Sequence, residues 1–543
     1  DDESLDFLEH LADVNRDVPL LMLAFTRPTL FERRTGWPGD MPNHQRIDLK
    51  ALDPAMSLQL ADELLKKLPQ VPDTLRDLLT RSAEGNPFYM EELVKMLIDQ
   101  GAIEAPLGGG AWWPLHAERL RGTPVPPTLT GVLQARLDGL PRPEKLALQQ
   151  ASVVGTVFWD QALAAVEARA AEQLPALVRR ELTLPRVDAA FDGLREYAFG
   201  HQLLHQVTYD TVLRHDKRSG HARVAQWLAG LSQQGSLRAD DFLGLAAEHF
   251  ELAGDEANAA EFHARAAEQA VLRFAHDRVL AHVGRALDLL GTMQPQQAGL
   301  RWRLLCARDV TLNLLARRAE QAADLDALAQ LADLLDDDRK RAYVAWKRSA
   351  RAMRITDWAT HERTAREGMA FAAKAGDDNL RLHALRLLCS VLVQNGQVDL
   401  GRTLALQGLA EARSLQLRGA QGRLLNMLSI VAEMQDDLME SLDFREQSLV
   451  VARETGDRIN EAITMSNMGV GWLNLGDLDG AQRDLDAALQ MLRSNGDRTM
   501  ESLTLCHLST LALWQGDEAR ALALARSALD CATAAQARDM ESV

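Results

Sequence analysis

The sequence predicts a mainly α-helical chain, and three observations carry that prediction. Alanine and leucine dominate the apolar set while aromatics make up only 5%, which suits close-packed helices better than strands, where β-branched and aromatic residues are enriched. A Gly-Asp signature recurs on a 20-residue lattice through the last third of the chain. Only one short run, Leu20–Phe25, reads as a buried strand.

The 543 residues exceed one small domain and imply several, or fewer if repeats are present. The 60 Lys and Arg against 77 Asp and Glu leave a net charge of −17, so the surface repels phosphates on average and a nucleic-acid-coating role is excluded. The four cysteines, Cys306, Cys389, Cys506 and Cys531, form no C-x-x-C pair and are expected to be free thiols. No apolar run approaches the roughly 18 residues that span a bilayer, and Asp1-Asp2-Glu3-Ser4 does not read as a signal peptide, so a cytoplasmic location and no membrane partner are expected.

In chain order, Ser4–Ala12 places Leu5, Leu8 and Leu11 on one helical face. Leu20–Phe25 is wholly apolar and bounded by Pro19 and Pro28, as expected for a strand buried on both faces of a parallel sheet. Helical periodicity resumes over Pro54–Leu68 and Pro72–Gly101, and Gly108-Gly109-Gly110 and Gly122–Pro127 punctuate the chain as loops. Trp112-Trp113, with no basic cluster around it, reads as a hairpin or loop packed on the core.

The last third is the most regular. Positions 376, 396, 416, 436, 456, 476, 496 and 516 hold Gly six times, where a residue making up 35 of 543 predicts about half a match, and Asp follows at 377, 437, 457, 477, 497 and 517. A glycine can take the left-handed position that ends one helix while aspartate caps the next. Leu409, Leu449, Leu489 and Leu529 keep step, each preceded by a small residue, Gly408, Ser448, Ala488 and Ala528. Each 40-residue unit is therefore a helical hairpin that must stack on its neighbours as a solenoid. The style extends, less regularly, back to Leu245–Leu290, and Asp336-Asp337-Asp338 falls on the lattice as an N-cap region. Arg498-Thr-Met-Glu501-Ser-Leu503 reappears as Arg538-Asp-Met-Glu541-Ser-Val543, so the array is expected to continue past Val543. The repeats resemble tetratricopeptide repeats of the longer, roughly 40-residue kind.

A second resemblance lies in the order of four segments: Asp1-Asp-Glu-Ser-Leu5; Leu20–Arg27 ending in Thr26-Arg27-Pro28; Glu84-Gly-Asn-Pro-Phe-Tyr-Met-Glu-Glu-Leu93; and Pro126-Pro-Thr-Leu-Thr-Gly-Val-Leu-Gln-Ala-Arg-Leu137. Together with Tyr197-Ala-Phe-Gly-His201-Gln-Leu-Leu-His-Gln-Val-Thr-Tyr209 and His221-Ala-Arg-Val-Ala225, they resemble the signal-transduction ATPases with numerous domains, the STAND branch of P-loop NTPases. That resemblance implies a mainly α chain in five parts. These are the C-terminal part of a P-loop α/β ATPase core (1–50), a helical lid with the Gly-Asn-Pro motif (51–118), a winged helix (119–225), a helical linker with irregular first repeats (226–335) and tetratricopeptide-like repeats (336–543).

The resemblance also implies roles. Arg27 matches the sensor that faces the γ-phosphate, a task suited to a guanidinium fork. Pro87 of Gly85-Asn86-Pro87 matches the proline that packs on adenine, and His201 matches the winged-helix histidine that contacts the β-phosphate of ADP, although Phe199 and Gly200 precede it and Gln202 replaces the family's acid. A structural histidine at 201, a surface Arg27 and a plain Gly-Asn-Pro loop are the bland alternatives. ATP or ADP is thus the implied cofactor, with Mg²⁺ in the intact protein. No G-x-x-x-x-G-K-[ST] run occurs in these residues, so this chain alone is expected not to hydrolyse ATP and reads as truncated at both ends. His201 and His205 have the spacing of helix-borne metal ligands but lack the H-E-x-x-H glutamate, and no metal site is expected. Over Arg119–Gly220 the 13 Lys and Arg against 11 Asp and Glu give +2, no nucleic-acid footprint.

The implied function is the regulatory region of a nucleotide-gated switch. Its solenoid would sense a protein or small ligand, form a homo-oligomer on activation and control an effector such as a class III nucleotide cyclase or a helix-turn-helix regulator. The rival is a repeat scaffold with an inert ATPase remainder.

Overall fold

The computed structural model describes residues 2–15, 18–37, 44–104, 112–122, 124–186, 193–232, 241–292 and 294–534. They form two compact units, Asp1–Pro141 and Arg142–Val543. The glycine run at 108–110 and the repeated segment 538–543 lie outside the described residues.

The first unit contains α1 (Asp2–Val14), α2 (Thr29–Arg33), α3 (Pro54–Leu64), α4 (Asp73–Ala83), α5 (Pro87–Asp99), α6 (Ala117–Gly122) and α7 (Leu129–Asp138). Its core gathers Leu65, Leu75, Leu79, Met90, Leu93, Leu97 and Val132 from α3, α4, α5, α7 and their joints. The periodicity of Pro72–Gly101 is divided between two helices, because Glu84 and Gly85 take positive φ of 47° and 78° and Asn86 then caps α5, its Oδ1 accepting from Tyr89 N at 3.2 Å. Trp113 packs on this core, with Lys67 Nζ 4.9 Å from its ring, whereas Trp112 is exposed.

Leu20–Phe25 is not a buried strand. The segment pairs with no strand among the described residues, and Leu21, Leu23 and Phe25 are 81, 74 and 90% exposed. A central strand exists only through ladder partners on both edges and layers on both faces, and an apolar run without them stays extended and open. In the described part of 1–50, the expected α/β core is therefore represented by helices and unpaired extended chain.

The second unit starts with α8 (Arg142–Val154), β1 (Val157–Trp159), α9 (Asp160–Val166), α10 (Leu174–Arg179), β2 (Thr183–Pro185), β3 (Glu196–Phe199), α11 (Gln202–Asp210) and α12 (Arg214–Ser232). The antiparallel sheet has the order β1-β3-β2, with Phe158 opposite Tyr197 and Leu184 opposite Ala198. Phe158, Leu163, Leu177 and Leu182 are fully buried beside it.

Fifteen helices follow: α13 (Asp241–Ala253), α14 (Glu256–Leu272), α15 (His276–Leu290), α16 (Ala298–Leu314), α17 (Arg318–Leu334), α18 (Asp338–Arg354), α19 (Trp358–Ala375), α20 (Asp378–Gln394), α21 (Val398–Ser414), α22 (Arg418–Met434), α23 (Leu438–Thr455), α24 (Arg458–Leu475), α25 (Leu478–Asn495), α26 (Arg498–Trp514) and α27 (Glu518–Ala534). The expected hairpin array is present. Gly376, Gly396, Gly456, Gly476, Gly496 and Gly516 all have φ between +65° and +81°. The lattice is also kept where glycine is missing: Ala316, Asp336, Thr356, Gln416 and Asp436 are left-handed too, with φ of 45° to 61°. Asp337, Asp377, Asp437, Asp457, Asp477, Asp497 and Asp517 each accept a hydrogen bond from the backbone N–H three residues on.

Gly408, Ser448, Ala488 and Ala528 are fully buried, deeper than Leu449 and Leu529, so these are points of closest helix approach. The even-numbered helices pack on one another as well as on their hairpin partners, in the pairs α14–α16, α18–α20, α20–α22, α22–α24 and α24–α26. Closer approach on that side curves the stack towards it and makes the even helices the inner layer. The curve brings distant residues together: His276 Nε2 donates to Asn495 O at 2.9 Å and Arg318 Nη2 donates to Thr499 Oγ1 at 3.1 Å, across 219 and 181 residues.

Candidate functional sites

Arg27 sits where the extended segment turns into α2, its carbonyl accepting from Leu30 N at 3.0 Å, and its side chain is exposed. Pro87 is the first residue of α5, where a ring lacking N–H loses no helical bond. Its loop is tightly held: Leu52 N donates to Gly85 O at 2.8 Å, and a Cβ on Gly85 would come 2.4 Å from Leu52 O. Glycine at 85 is thus required by both φ and space, and the exposed ring of Pro87 is presented at a fixed helix start.

His201, in the second unit, is the N-cap of α11. Its Nδ1 accepts from Leu203 N at 3.0 Å, which fixes the imidazole as the Nε2–H tautomer when neutral. His205 does not join it in a metal set; its Nε2 donates to Ser152 O at 2.9 Å, and no group of three metal-type side chains occurs among the described residues. The N-terminus of α11, which His201 caps, favours negative charge as helix N-termini do.

Two further constellations escaped the sequence reading. The first is a buried relay behind His201. The His205 ring stacks on Tyr209 at 6.1 Å, Tyr209 Oη lies 2.9 Å from His221 Nε2, and His221 Nδ1 lies 2.8 Å from His249 Nδ1. It runs from α8 and α11 through α12 to α13, the first solenoid helix. Burial pulls His221 down to about 3 and His249 to about 4, so both are neutral at pH 7, and each nitrogen pair holds one donor and one acceptor. Just beyond, His263 bridges His282 at 3.0 Å and Glu251 at 2.7 Å, and Glu251 also holds Arg285.

The second constellation is a column on the inner layer. Trp302 meets Tyr343 at 5.7 Å, Tyr343 meets Trp346 at 5.5 Å, and Trp346 meets His383 at 4.9 Å between ring centroids. Arg423 Nη1 ends it, 2.8 and 2.9 Å from the two His383 ring nitrogens. Tyr343, His383 and Arg423 are 40 residues apart, one lattice position in three repeats. That spacing was visible in the sequence, but attention to the turns alone misses it.

Among the described residues, no helix is long and apolar enough to cross a membrane. No protein-family model matches the sequence, and no curated protein does. Among solved structures, one similar chain is a signal transduction ATPase with numerous domains (STAND) with a tetratricopeptide repeat sensor, from Pyrococcus horikoshii. It is 13% identical, with 92% of this chain and 69% of that one covered and a TM-score of 0.49. A Rap protein complexed with competence and sporulation factor is 12% identical over 52% of this chain and 78% of that one, with a TM-score of 0.40. The Rap conjugation gene regulator of plasmid pLS20, in complex with the Phr* peptide, is 13% identical over 61% and 93%, with a TM-score of 0.43. At TM-scores below 0.5 the architecture is read from this chain's own helices, and it is a mainly α chain with a small three-stranded sheet and a solenoid of tetratricopeptide-like hairpins, similar to a STAND protein with such a sensor.

Proposed function

We propose that this chain is the sensing and latching region of a STAND-type, nucleotide-gated switch. The solenoid holds a protein, peptide or small ligand on its inner layer, and the segment around His201 reads the bound nucleotide. The observation that carries this reading is the inner column itself: across three successive repeats one lattice position holds Tyr343, His383 and Arg423, joined through Trp346 by ring and guanidinium contacts. Large polar and aromatic side chains on a concave layer are what a binding surface requires.

By the family resemblance, Arg27 is read as a γ-phosphate contact, the Pro87 ring as an adenine contact and His201 as a β-phosphate contact, each on its own unit, His201 donating from Nε2 since Nδ1 is committed to Leu203 N–H. Bound nucleotide supplies the charge that these side chains recognise. The relay from His205 to His249 gives the solenoid a route to the latch, because a shift of α13 must move His221 and, with it, Tyr209 and α11. The effector is read as a class III nucleotide cyclase or a helix-turn-helix regulator, and activation as homo-oligomerisation. A scaffold whose repeats do all the binding is the second reading, favoured by the share of the chain that the fifteen helices α13–α27 occupy.

The test is to purify the product of the full reading frame and quantify nucleotide released on denaturation. Retained ADP that falls in His201→Ala, with higher basal output, supports the latch, and Arg27→Ala should blunt the response to ATP while leaving ADP in place. A protein that retains no ADP in any form leaves the scaffold reading in front.

A further inference from the structure

The inner layer carries more positive charge than it neutralises. Lys347 and Arg354 lie two helical turns apart on one face of α18, His383 and Arg386 one turn apart on α20, and Arg423 follows on α22. Two of these cations have carboxylate partners: Lys347 Nζ is 2.8 Å from Asp309 Oδ2, and Arg423 Nη2 is 3.3 Å from Asp457 Oδ2. Arg386 and Arg354 have none among the described residues. Arg386 is only partly exposed, and it holds the lattice position that is Trp346 one repeat earlier and Asn426 one repeat later. Burial, and then the neighbouring charges of Arg423 and Arg354, pull its guanidinium down to about 10. His383, pressed by burial and by Arg423, Arg386 and Lys347, falls to about 3 and adds no charge of its own.

A half-buried arginine facing other cations is unfavourable for folding, since taking a charge out of water is compensated only by an opposite charge or hydrogen-bond acceptors. Yet the side chain is planar and forked and lies one helical turn from His383 of the aromatic column, an arrangement suited to a carboxylate or phosphate and the flat group attached to it. We propose that the inner face of the solenoid at Lys347, Arg354, Arg386 and Arg423 binds an anionic group, a carboxylate or phosphate carried by the sensed ligand, with Arg386 as its main partner. Lys347, spread over the Tyr343 and Trp346 rings at 5.4 and 5.1 Å, frames the aromatic side of the site. The inference rests on reading the solenoid as the ligand-binding part and assigns the chemistry of what it binds.

The test uses the whole 543-residue chain, with pyrophosphate and citrate titrated separately by calorimetry against chloride of matched ionic strength. Saturable binding of one anion per chain is expected, and whether pyrophosphate or citrate binds tighter separates a phosphate from a carboxylate ligand. Arg386→Met should weaken that binding at least about tenfold, as loss of a charge-assisted bond does. It should also raise Tm in the absence of anion and abolish the Tm gain on adding it, whereas an arginine kept for stability would give a lower Tm. Arg366→Met, which removes an exposed partner of Glu362, should change neither. If Arg386→Met does not fold, Arg354→Gln carries the same comparison. Absence of saturable binding by both anions, or undiminished binding by the variant, overturns the proposal. Nucleotide retention is measured independently, so loss of the anion site would leave the switch reading standing, and loss of the switch would leave the anion site standing.

Discussion

The repeats of α18–α27 and the segment Leu20–Phe25 are both apolar and both read clearly from sequence, yet one builds a core and the other lies open. In the repeats each helix finds its cover in the next helix along the chain, so Leu428, Val431 and Leu424 are buried by residues within one or two hairpins. A strand such as Leu20–Phe25 needs partners that sequence order does not supply, and among the described residues it has none. Burial is thus earned locally in a solenoid and only globally in a sheet.

That contrast can be tested from its strongest consequence downwards. Leu428→Ala, at a fully buried site, should lower stability by about 2–5 kcal/mol in urea unfolding, because the stacked hairpins cannot collapse onto the cavity. A loss as small as that of a surface substitution would show that the repeats are loosely packed. Acid should act next. His221, His249, His282, His361, His383 and His507 are pulled, first by burial, to about 3 or 4. Between the ordinary value near 6.5 and those values the unfolded chain binds protons that the folded unit does not, so stability is held above pH 6.5 and lost as pH falls towards 4. Calorimetric scans at pH 7, 5.5 and 4.5 should show Tm dropping steadily, with hydrogen exchange rising first in α12–α15 and α18–α20. A flat Tm across that range would contradict the burial of these rings.

Smaller effects probe the lattice itself. Removing the N-cap in Asp437→Ala should cost about 1 kcal/mol, read as a shift in the denaturation midpoint at unchanged slope. Thr356→Gly should do the reverse and stabilise by up to about 1 kcal/mol, since a β-branched residue holds a left-handed φ of 57° there. No gain would mean that turn is relaxed in some other way. At the low end, Leu21→Ser should stay within about 0.5 kcal/mol, and a larger loss would reveal that the open run is covered after all.

The candidate site was legible in proportion to how local its chemistry is. Asn86 and Pro87 announce a helix start, and His201 before Gln202–Asp210 turned out to be a cap, because caps are decided within four residues. The relay of Tyr209, His221 and His249 was not legible, since its members are 12 and 28 residues apart and nothing in their spacing says that α11, α12 and α13 face one another. Nor did the sequence mark Arg386 as unlike the other arginines.

By itself, then, the sequence determined the helix ends, the 20-residue beat and the need to stack, because left-handed turns, aspartate caps and small contact residues act over one hairpin. Only the tertiary structure decided that the stack curves far enough for His276 to reach Asn495 and Arg318 to reach Thr499, and that Tyr343, Trp346, His383 and Arg423 meet in one column across three helices. The physical reason is that curvature sums small rotations at every helix interface, each set by side chains packing across the repeat boundary, and charges become neighbours only once that sum is complete.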